Sequence, residues 1–282
     1  MAIKIWDGST DGDVSVAANW TPAVVPVNGD SIVFNGDETN EVDTNMNALA
    51  AVNIDQFIVT TDYEPATFGT VANPFEVNDC ALFLYSGKVT ASYVKFNGTC
   101  DIAHVIDTGT GADALHLDGG IISLLYLFAG TVTLDAGLTI DDIYSHYRVS
   151  ASTDVLLTIA AGVFLTNLSQ SGGAITCSSD IGVCIKTGGS LTMSAGDIGQ
   201  LFNGGGRVAW NASGGTIGRA DIRGGELTGA GDPTTKTITD LYCWYGARTD
   251  LRNHAANIVI TNPVEALGGV VYTEPGASVT FA

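Results

Sequence analysis

The chain has 282 residues, of which 45% are hydrophobic, enough for a substantial core in one long domain or two compact ones. Its charge is lopsided, with 30 acidic residues against 11 basic ones and a formal net charge of −19 at pH 7. Because neutralisation of phosphates needs clustered lysines and arginines, and the chain has no basic run, we expect neither nucleic acid nor an anionic membrane surface as a partner.

Residues 1–75 differ in composition from the rest of the chain. They hold four of the seven prolines, two of the four tryptophans and none of the double glycines. Brief strands are expected at Ile3–Trp6 and Ser31–Phe34, between long turns rich in Asp, Asn and Gly. The exposed end of a stacked β-structure is an unpaired edge that invites aggregation. We therefore predict that residues 1–75 form a β-rich module that caps and attaches the domain that follows.

From residue 76 onward, short aliphatic and β-branched segments recur and helical periodicity is scarce. Seven double glycines, each followed closely by an aliphatic residue, punctuate this region, and they begin at Gly119, Gly172, Gly188, Gly205, Gly214, Gly224 and Gly268. Glycine opens a tight turn because it reaches positive φ, and the aliphatic residue points inward as the next strand begins. Many short strands around one apolar column bury a continuous core only by stacking. We predict an all-β fold, with a single-stranded β-solenoid, a right-handed β-helix, over residues 76–282.

The cysteines and the chain start bear on the compartment. The first residues lack the apolar segment of a secretory signal, and no stretch reaches the roughly 18 to 20 apolar residues of a membrane span. The five cysteines are widely spread, with no CxxC pair, so we expect buried free thiols in a reducing compartment. Cys177 and Cys184 could meet on adjacent turns, but zinc would need two more soft ligands.

Two groupings of polar residues could carry chemistry. The loop of residues 7–13 has oxygen side chains at relative positions 1, 3 and 5 and glycine at position 6, like the start of an EF-hand calcium loop. Position 12 is Ala18 instead of a bidentate Glu, which favours a solvated turn. His116 and Asp118 could share one face of a strand, either as a structural pair or as a catalytic one.

Two further groupings concern surfaces. A polysaccharide lyase needs a basic proton acceptor, and the scattered Arg219, Arg223, Arg248 and Arg252 are the only place for one. The aromatic segments 144–147 and 242–245 could form platforms for sugars or for a protein neighbour, or could pack inside the turns. The acidic surface either keeps the protein soluble or docks on a basic partner. No nucleophile elbow, phosphate-binding loop, dinucleotide fingerprint or HExxH motif occurs. We predict no catalytic residue, no cofactor and no metal site, and therefore a protein that is not an enzyme.

The N-terminal run carries a wider resemblance. It contains Trp6-Asp7-Gly8, Ala18-Asn19-Trp20, Val25-Pro26 and Gly29-Asp30-Ser31-Ile32-Val33-Phe34. This motif resembles one in two groups of proteins, namely bacterial surface β-helices of the autotransporter type and virion proteins of tailed bacteriophages, some of which decorate the capsid. Secreted members carry signal peptides, so the start of this chain favours the phage group.

The resemblance implies a structural virion protein, a capsid decoration or cement protein that binds the major capsid protein and stabilises the phage head. Such a protein would be assembled in the host cytoplasm, lie on the capsid surface of the virion and act as a homotrimer or another homo-oligomer. Trp6, Trp20 and Phe34 are the predicted protein-interface residues, because aromatic anchors carry much of the energy of interfaces. The alternatives are a tail-fibre or receptor-binding module that recognises host surface glycans, and a glycan-degrading β-helix enzyme.

Overall fold

The computed structural model describes residues 2–36, 38, 40–64, 68–87, 91–108, 115–146, 154–229, 235–252 and 258–273. They form an all-β fold, a β-solenoid of about 10 turns built from stacked parallel strands, which confirms the predicted fold class. The handedness of the coil stays a prediction. Within these residues a single 3-10 turn, Ala17–Asn19, occurs, and no helix is long and apolar enough to span a membrane.

The strands are short and follow one another through tight turns. They are β1 (Ile3–Trp6), β2 (Trp20–Thr21), β3 (Ser31–Phe34), β4 (Ile54–Val59), β5 (Phe75–Val77), β6 (Cys80–Tyr85), β7 (Ser92–Phe96), β8 (Thr99–Val105), β9 (Leu115–Asp118), β10 (Ile121–Leu127), β11 (Gly130–Leu134), β12 (Thr139–Ser145), β13 (Val155–Ile159), β14 (Phe164–Gln170), β15 (Ala174–Cys177), β16 (Ile181–Lys186), β17 (Ser190–Met193), β18 (Ile198–Asn203), β19 (Arg207–Trp210), β20 (Thr216–Ile222), β21 (Glu226–Gly229), β22 (Lys236–Trp244), β23 (Arg248–Asp250), β24 (Ile258–Ile260), β25 (Glu265–Leu267) and β26 (Val270–Tyr272).

The chain divides into two compact units. Of the described residues, those up to Asp141 together with 154–156 form unit 1, and 142–146 together with those from Leu157 onward form unit 2. In unit 1 one parallel ladder runs through β1, β3, β4, β6, β8 and β10, and a second through β5, β7, β9 and β11. In unit 2 the ladders are β14, β16, β18, β20, β22, β24 and β15, β17, β19, β21, β23, β26.

The predicted boundary between residues 75 and 76 falls inside unit 1. Strand β4, on its N-terminal side, pairs directly with β6 on the other side, and Phe57 lies opposite Phe83. The ladder is therefore continuous across this boundary. The division into a cap and a solenoid stays a prediction.

From β5 to β23 successive strands alternate between the two ladders, and the length of a turn varies. Leu165 pairs with Ile181, 16 residues later, whereas Ile54 pairs with Cys80, 26 residues later. The strands keep the two-residue alternation that points every second side chain inward. In unit 2 this stacks one buried aliphatic column, which contains Leu165, Ile181, Ile198, Ile217, Ile238 and Ile260.

The double glycines mark corners, as predicted. A strand begins directly after all seven pairs. After six of them its second residue is a buried aliphatic one; these residues are Ile122, Ile175, Leu191, Val208, Ile217 and Leu227. After the seventh pair the corresponding residue, Val271, is only half-buried.

Three of these corners are tied together from inside. Gln170, Lys186 and Asn203 each stand two residues before a double glycine, lie opposite one another in the register of β14, β16 and β18, and are fully buried. The Lys186 ammonium donates to Gln170 Oε1 and, over 2.8 Å, to the carbonyl of Gly188. Gln170 Nε2 donates over 3.1 Å to the carbonyl of Gly173. These bonds give the buried ammonium and amide groups their acceptors, which is the requirement that burial imposes on polar side chains.

Lys186 gives a pH prediction. Burial lowers the pKa of this side chain from 10.5 to about 8, with the nearby Cys184 acting in the opposite direction. Between these two pH values the unfolded chain holds a proton that the folded chain has released, so the unfolding free energy gains from rising pH. Relative to Lys186→Met, wild-type stability should rise by about 3 kcal/mol between pH 7.5 and pH 10.5. Denaturant unfolding of both proteins across this range checks it, and a pH-independent difference would contradict it.

Candidate functional site

The three predicted interface residues form the centre of an aromatic core. Trp6, Trp20 and Phe34 are 0%, 1% and 0% exposed. The ring centroids of Trp6 and Trp20 lie 5.2 Å apart, and those of Trp20 and Phe34 lie 5.8 Å apart. The indole nitrogens are also satisfied within the chain, since Trp6 donates to the carbonyl of Asn40 and Trp20 to that of Val14, each over 3.0 Å. None of these side chains presents surface to a partner, and their direct contact role stays a prediction.

The outer surface of the same region carries a different apolar patch. Ile3, Val24 and Val27, here called the N-terminal rim, are each more than half exposed. The Asp30 carboxylate draws two parts of the rim together, because it accepts from the backbone N–H of Ala2 over 2.9 Å and from that of Val27 over 3.3 Å. Sequence reasoning missed the rim, since single exposed aliphatic residues carry no signal of their own.

The rim adjoins the free edge of the first strand. β2 pairs only with Ile5 and Trp6 of β1, so in the described part of the chain Ile3 and Lys4 have a partner strand, β3, on one side alone. An edge of this kind can accept a strand from another chain.

The acidic loop of residues 7–13 forms turns that use its own carboxylates. Asp7 accepts from the N–H of Ser9 over 3.0 Å, Asp11 from that of Asp13 over 3.0 Å and Asp13 from that of Ser15 over 2.8 Å. The Ser15 hydroxyl and the Asn45 amide hold the pKa of Asp13 below its usual value. Among the described residues no group of three carboxylate, imidazole or thiol ligands comes together. The carboxylates of this loop therefore serve as acceptors for its own turns.

His116 and Asp118 line one cleft of about 260 Å³, as their spacing suggested. The imidazole stacks on the Tyr93 ring with centroids 4.3 Å apart, and its Nδ1 lies 3.1 Å from a carboxylate oxygen of Asp135. Asp135 belongs to the next turn, so its sequence position gave no hint of this contact. Tyr93 and Asp135 orient the imidazole, and Asp118 lines the same cleft. The stack on Tyr93 suits a structural role of His116 as well as a catalytic one.

The most elaborate polar cluster lies on unit 2. The Asp221 carboxylate is fully buried and accepts from Arg223 Nε over 3.0 Å, from Arg219 over 3.2 Å and from Trp244 Nε1 over 2.7 Å. Burial pushes the pKa of Asp221 upward, but the donors Arg223, Trp244 and Arg219 outweigh it and hold the pKa below its usual value. The guanidinium of Arg219 lies 4.7 Å from the Tyr242 ring centroid, and that of Arg223 lies 5.4 Å from the Trp244 centroid.

A second cluster of the same kind follows around the next corner. Asp250 accepts from Arg248 over 2.6 Å and from Arg252 over 2.7 Å, and the Arg252 guanidinium holds the Asp250 pKa well below its usual range despite partial burial. Both guanidinium groups lie over the Tyr272 ring, 5.2 Å and 4.3 Å from its centroid. The clusters share a composition of ordered arginines on aromatic rings. Together with Arg207 we call their arginines the arginine face, namely Arg207, Arg219, Arg223, Arg248 and Arg252.

The arginine face occupies a distinct electrostatic segment. Residues 186–252 contain seven basic and six acidic side chains, whereas residues 1–185 contain four basic and 22 acidic ones. The sequence points to four of these arginines and to the aromatic segment 242–245 separately, but it does not predict that they contact one another. Of the other aromatic segment, Tyr144 and His146 stack with centroids 6.4 Å apart, and Tyr147 lies outside the described residues.

The cysteines are free and buried, as expected. Burial raises the pKa of Cys177 to about 11 and that of Cys184 to about 12, which makes both thiols poor nucleophiles at neutral pH.

The fold and these surfaces define a β-solenoid protein with an apolar rim at its first strand and an arginine face farther along the chain. Comparisons of the chain with models of protein families, with curated proteins and with solved structures find no match.

Proposed function

We propose that this chain is a structural virion protein of a tailed bacteriophage, a capsid decoration or cement protein that works by attachment and not by catalysis. In this proposal it binds the major capsid protein, lies on the outer surface of the head and is assembled in the host cytoplasm. The phage setting rests on the resemblance of the N-terminal run, and the mode of action rests on the molecule's first strand.

The observation that carries the proposal is the free edge of β1 beside the N-terminal rim. Ile3, Val24 and Val27 offer apolar area, and the backbone of Ile3, which no strand of the described residues pairs on its outer side, offers hydrogen bonds to an incoming strand. Strand addition supplies affinity through the main chain and specificity through alternate side chains. The buried aromatic cluster around Phe34 holds the N-terminal strands in place. A surface that is already ordered loses less entropy when it binds a partner.

The test recombines the chain with particles stripped of it. Wild-type chain should bind the particles and raise the temperature at which they release DNA. Ile3→Asp, Val24→Asp and Val27→Asp together should weaken binding about 100-fold, because two to three kcal/mol of apolar contact and edge pairing are lost.

The matched control is Val71→Asp, which changes an equally exposed aliphatic residue of the same unit. It should bind like wild type. The proposal fails if stripped particles keep their resistance to heat without the chain, or if the rim variant binds as well as the control. Release of reducing sugar from bacterial polysaccharide by the purified chain would instead establish the enzyme alternative.

A further inference from the structure

We infer that the arginine face is a docking surface for the acid-rich part of a second copy of this chain. The inference deepens the oligomer included in the proposed function, but its evidence lies on unit 2 and is independent of the N-terminal rim. The proposed ligand of the arginine face is the acidic surface of residues 1–185 of another copy of the chain.

The arginine face has the composition of an interface centre. Arginine, tryptophan and tyrosine dominate the residues whose removal costs most at protein interfaces. Here the guanidinium groups of Arg219, Arg223 and Arg248 are held in place by carboxylates yet remain about half exposed. A side chain that is already ordered pays less entropy when a partner arrives.

Guanidinium groups already cover the aromatic rings of the arginine face. This favours the carboxylates of a protein, and not a sugar ring, as the ligand. A pyranose ring stacks on an open aromatic face, and here one face of Tyr242, Trp244 and Tyr272 is already taken by a guanidinium. What remains available is the outer N–H edge of each arginine, which binds carboxylates in a bidentate way.

The chain carries its own complement to this surface. Residues 1–185 hold 22 acidic side chains against four basic ones, so a neighbouring copy offers a strongly negative surface at equal concentration. Opposite potentials of this kind steer association and fix its register.

Strand register adds a match in spacing. Arg207, Glu226 and Arg248 lie in one row over three successive turns, so the two arginines are separated by about 10 Å, twice the distance between neighbouring strands. On unit 1, the register Ile54–Cys80–Cys100 places the next residues, Asp55, Ala81 and Asp101, in a row with the same interval. These three residues line a cleft together with Asp79.

The row on unit 1 has two acidic residues with a small one between them. The row on unit 2 has two basic residues with an acidic one between them. Ala81 leaves room opposite Glu226, and the two aspartates stand opposite the two arginines. Because the two surfaces differ, the contact is head-to-tail. Contacts of that type form rings, such as the predicted trimer, when the rotation between copies closes, and open filaments when it does not.

The experiment is sedimentation velocity of the full chain at about 0.05 M and about 1 M salt, since screening weakens exposed charge pairs. Wild type should associate at low salt and dissociate at high salt. Arg207→Gln with Arg248→Gln should be monomeric at both salt concentrations, and so should Asp55→Asn with Asp101→Asn. Mixed together, the two variants should form a 1:1 dimer that cannot extend, because each keeps the half that the other lacks. Formation of this dimer also shows that both variants are folded.

The control removes two carboxylates elsewhere, with Asp141→Asn and Asp154→Asn, both exposed, and should associate like wild type. The inference is overturned if wild type is monomeric at low salt, if the variants associate as wild type does, or if the mixture stays monomeric. Binding of polygalacturonate to a monomeric wild type, lost in the arginine variant, would assign the face to an acidic glycan and also overturn it. Binding to stripped particles by the rim remains measurable in every variant, so failure here is distinct from failure of the capsid proposal.

Discussion

Gly206→Ala is expected to destabilise unit 2 by about 3–5 kcal/mol, the sum of a backbone and a steric cost. Gly206 has φ of +76°, a left-handed conformation that costs a residue with a Cβ about 1–2 kcal/mol. A Cβ at this position would also lie 2.2 Å from the carbonyl oxygen of Gly189 on the turn below. That carbonyl already accepts from the N–H of Arg207 over 3.0 Å and cannot move without loss of the pairing.

Gly246→Ala separates the two costs. Gly246 has a similar φ of +83°, but a Cβ there would meet no heavy atom within 4 Å beyond its chain neighbours. It should cost only about 1–2 kcal/mol. Denaturant unfolding of both variants, with hydrogen exchange to locate the loss of protection, measures the difference. Equal destabilisation would mean that the double-glycine corners serve backbone conformation alone and not close stacking of the turns.

Much of the fold was predictable from the sequence because corners and core obey local rules. A double glycine fixes where a strand begins, and two-residue alternation then fixes which side chain points inward, as Val208 and Leu227 illustrate. The same rule does not decide which side of β1 points inward. Its sequence Ile-Lys-Ile-Trp places apolar residues on both faces, and the structure exposes Ile3 while it buries Lys4 and Trp6. The deciding term is the packing of one large indole, which no local pattern reports.

The candidate surfaces were harder to predict, because they join residues of different turns. Trp244 reaches Asp221 across 23 residues, and this contact follows from a register in which Thr216 pairs with Thr237. With turns that vary between 16 and 28 residues, spacing in the sequence does not give the register. Residue types could be named in advance, as Arg219 and Arg223 were, but their contacts with the rings of Tyr242 and Trp244 on the next turn could not.

The role of Trp6 can be decided by a stability measurement combined with a binding measurement. Trp6→Ala removes a fully buried indole that contacts Trp20 and Phe34, and it leaves the carbonyl of Asn40 without its donor. Large-to-small changes of this kind cost about 3–5 kcal/mol. Hydrogen exchange should show the loss of protection in β1 and β3, while the strands of unit 2 keep theirs.

Ile3→Ala is the matched control, since it shortens an exposed side chain of the same strand and should change stability by less than about 0.5 kcal/mol. Compared with wild type, Trp6→Ala should be less stable and should lose binding only to the extent that residues 1–75 unfold. Ile3→Ala should keep its stability but bind stripped particles more weakly. A Trp6→Ala chain that is as stable as wild type but no longer binds would restore the indole as a direct contact residue. In that event the side chain must leave the core on binding, because its place among Trp20 and Phe34 allows no partner to reach it.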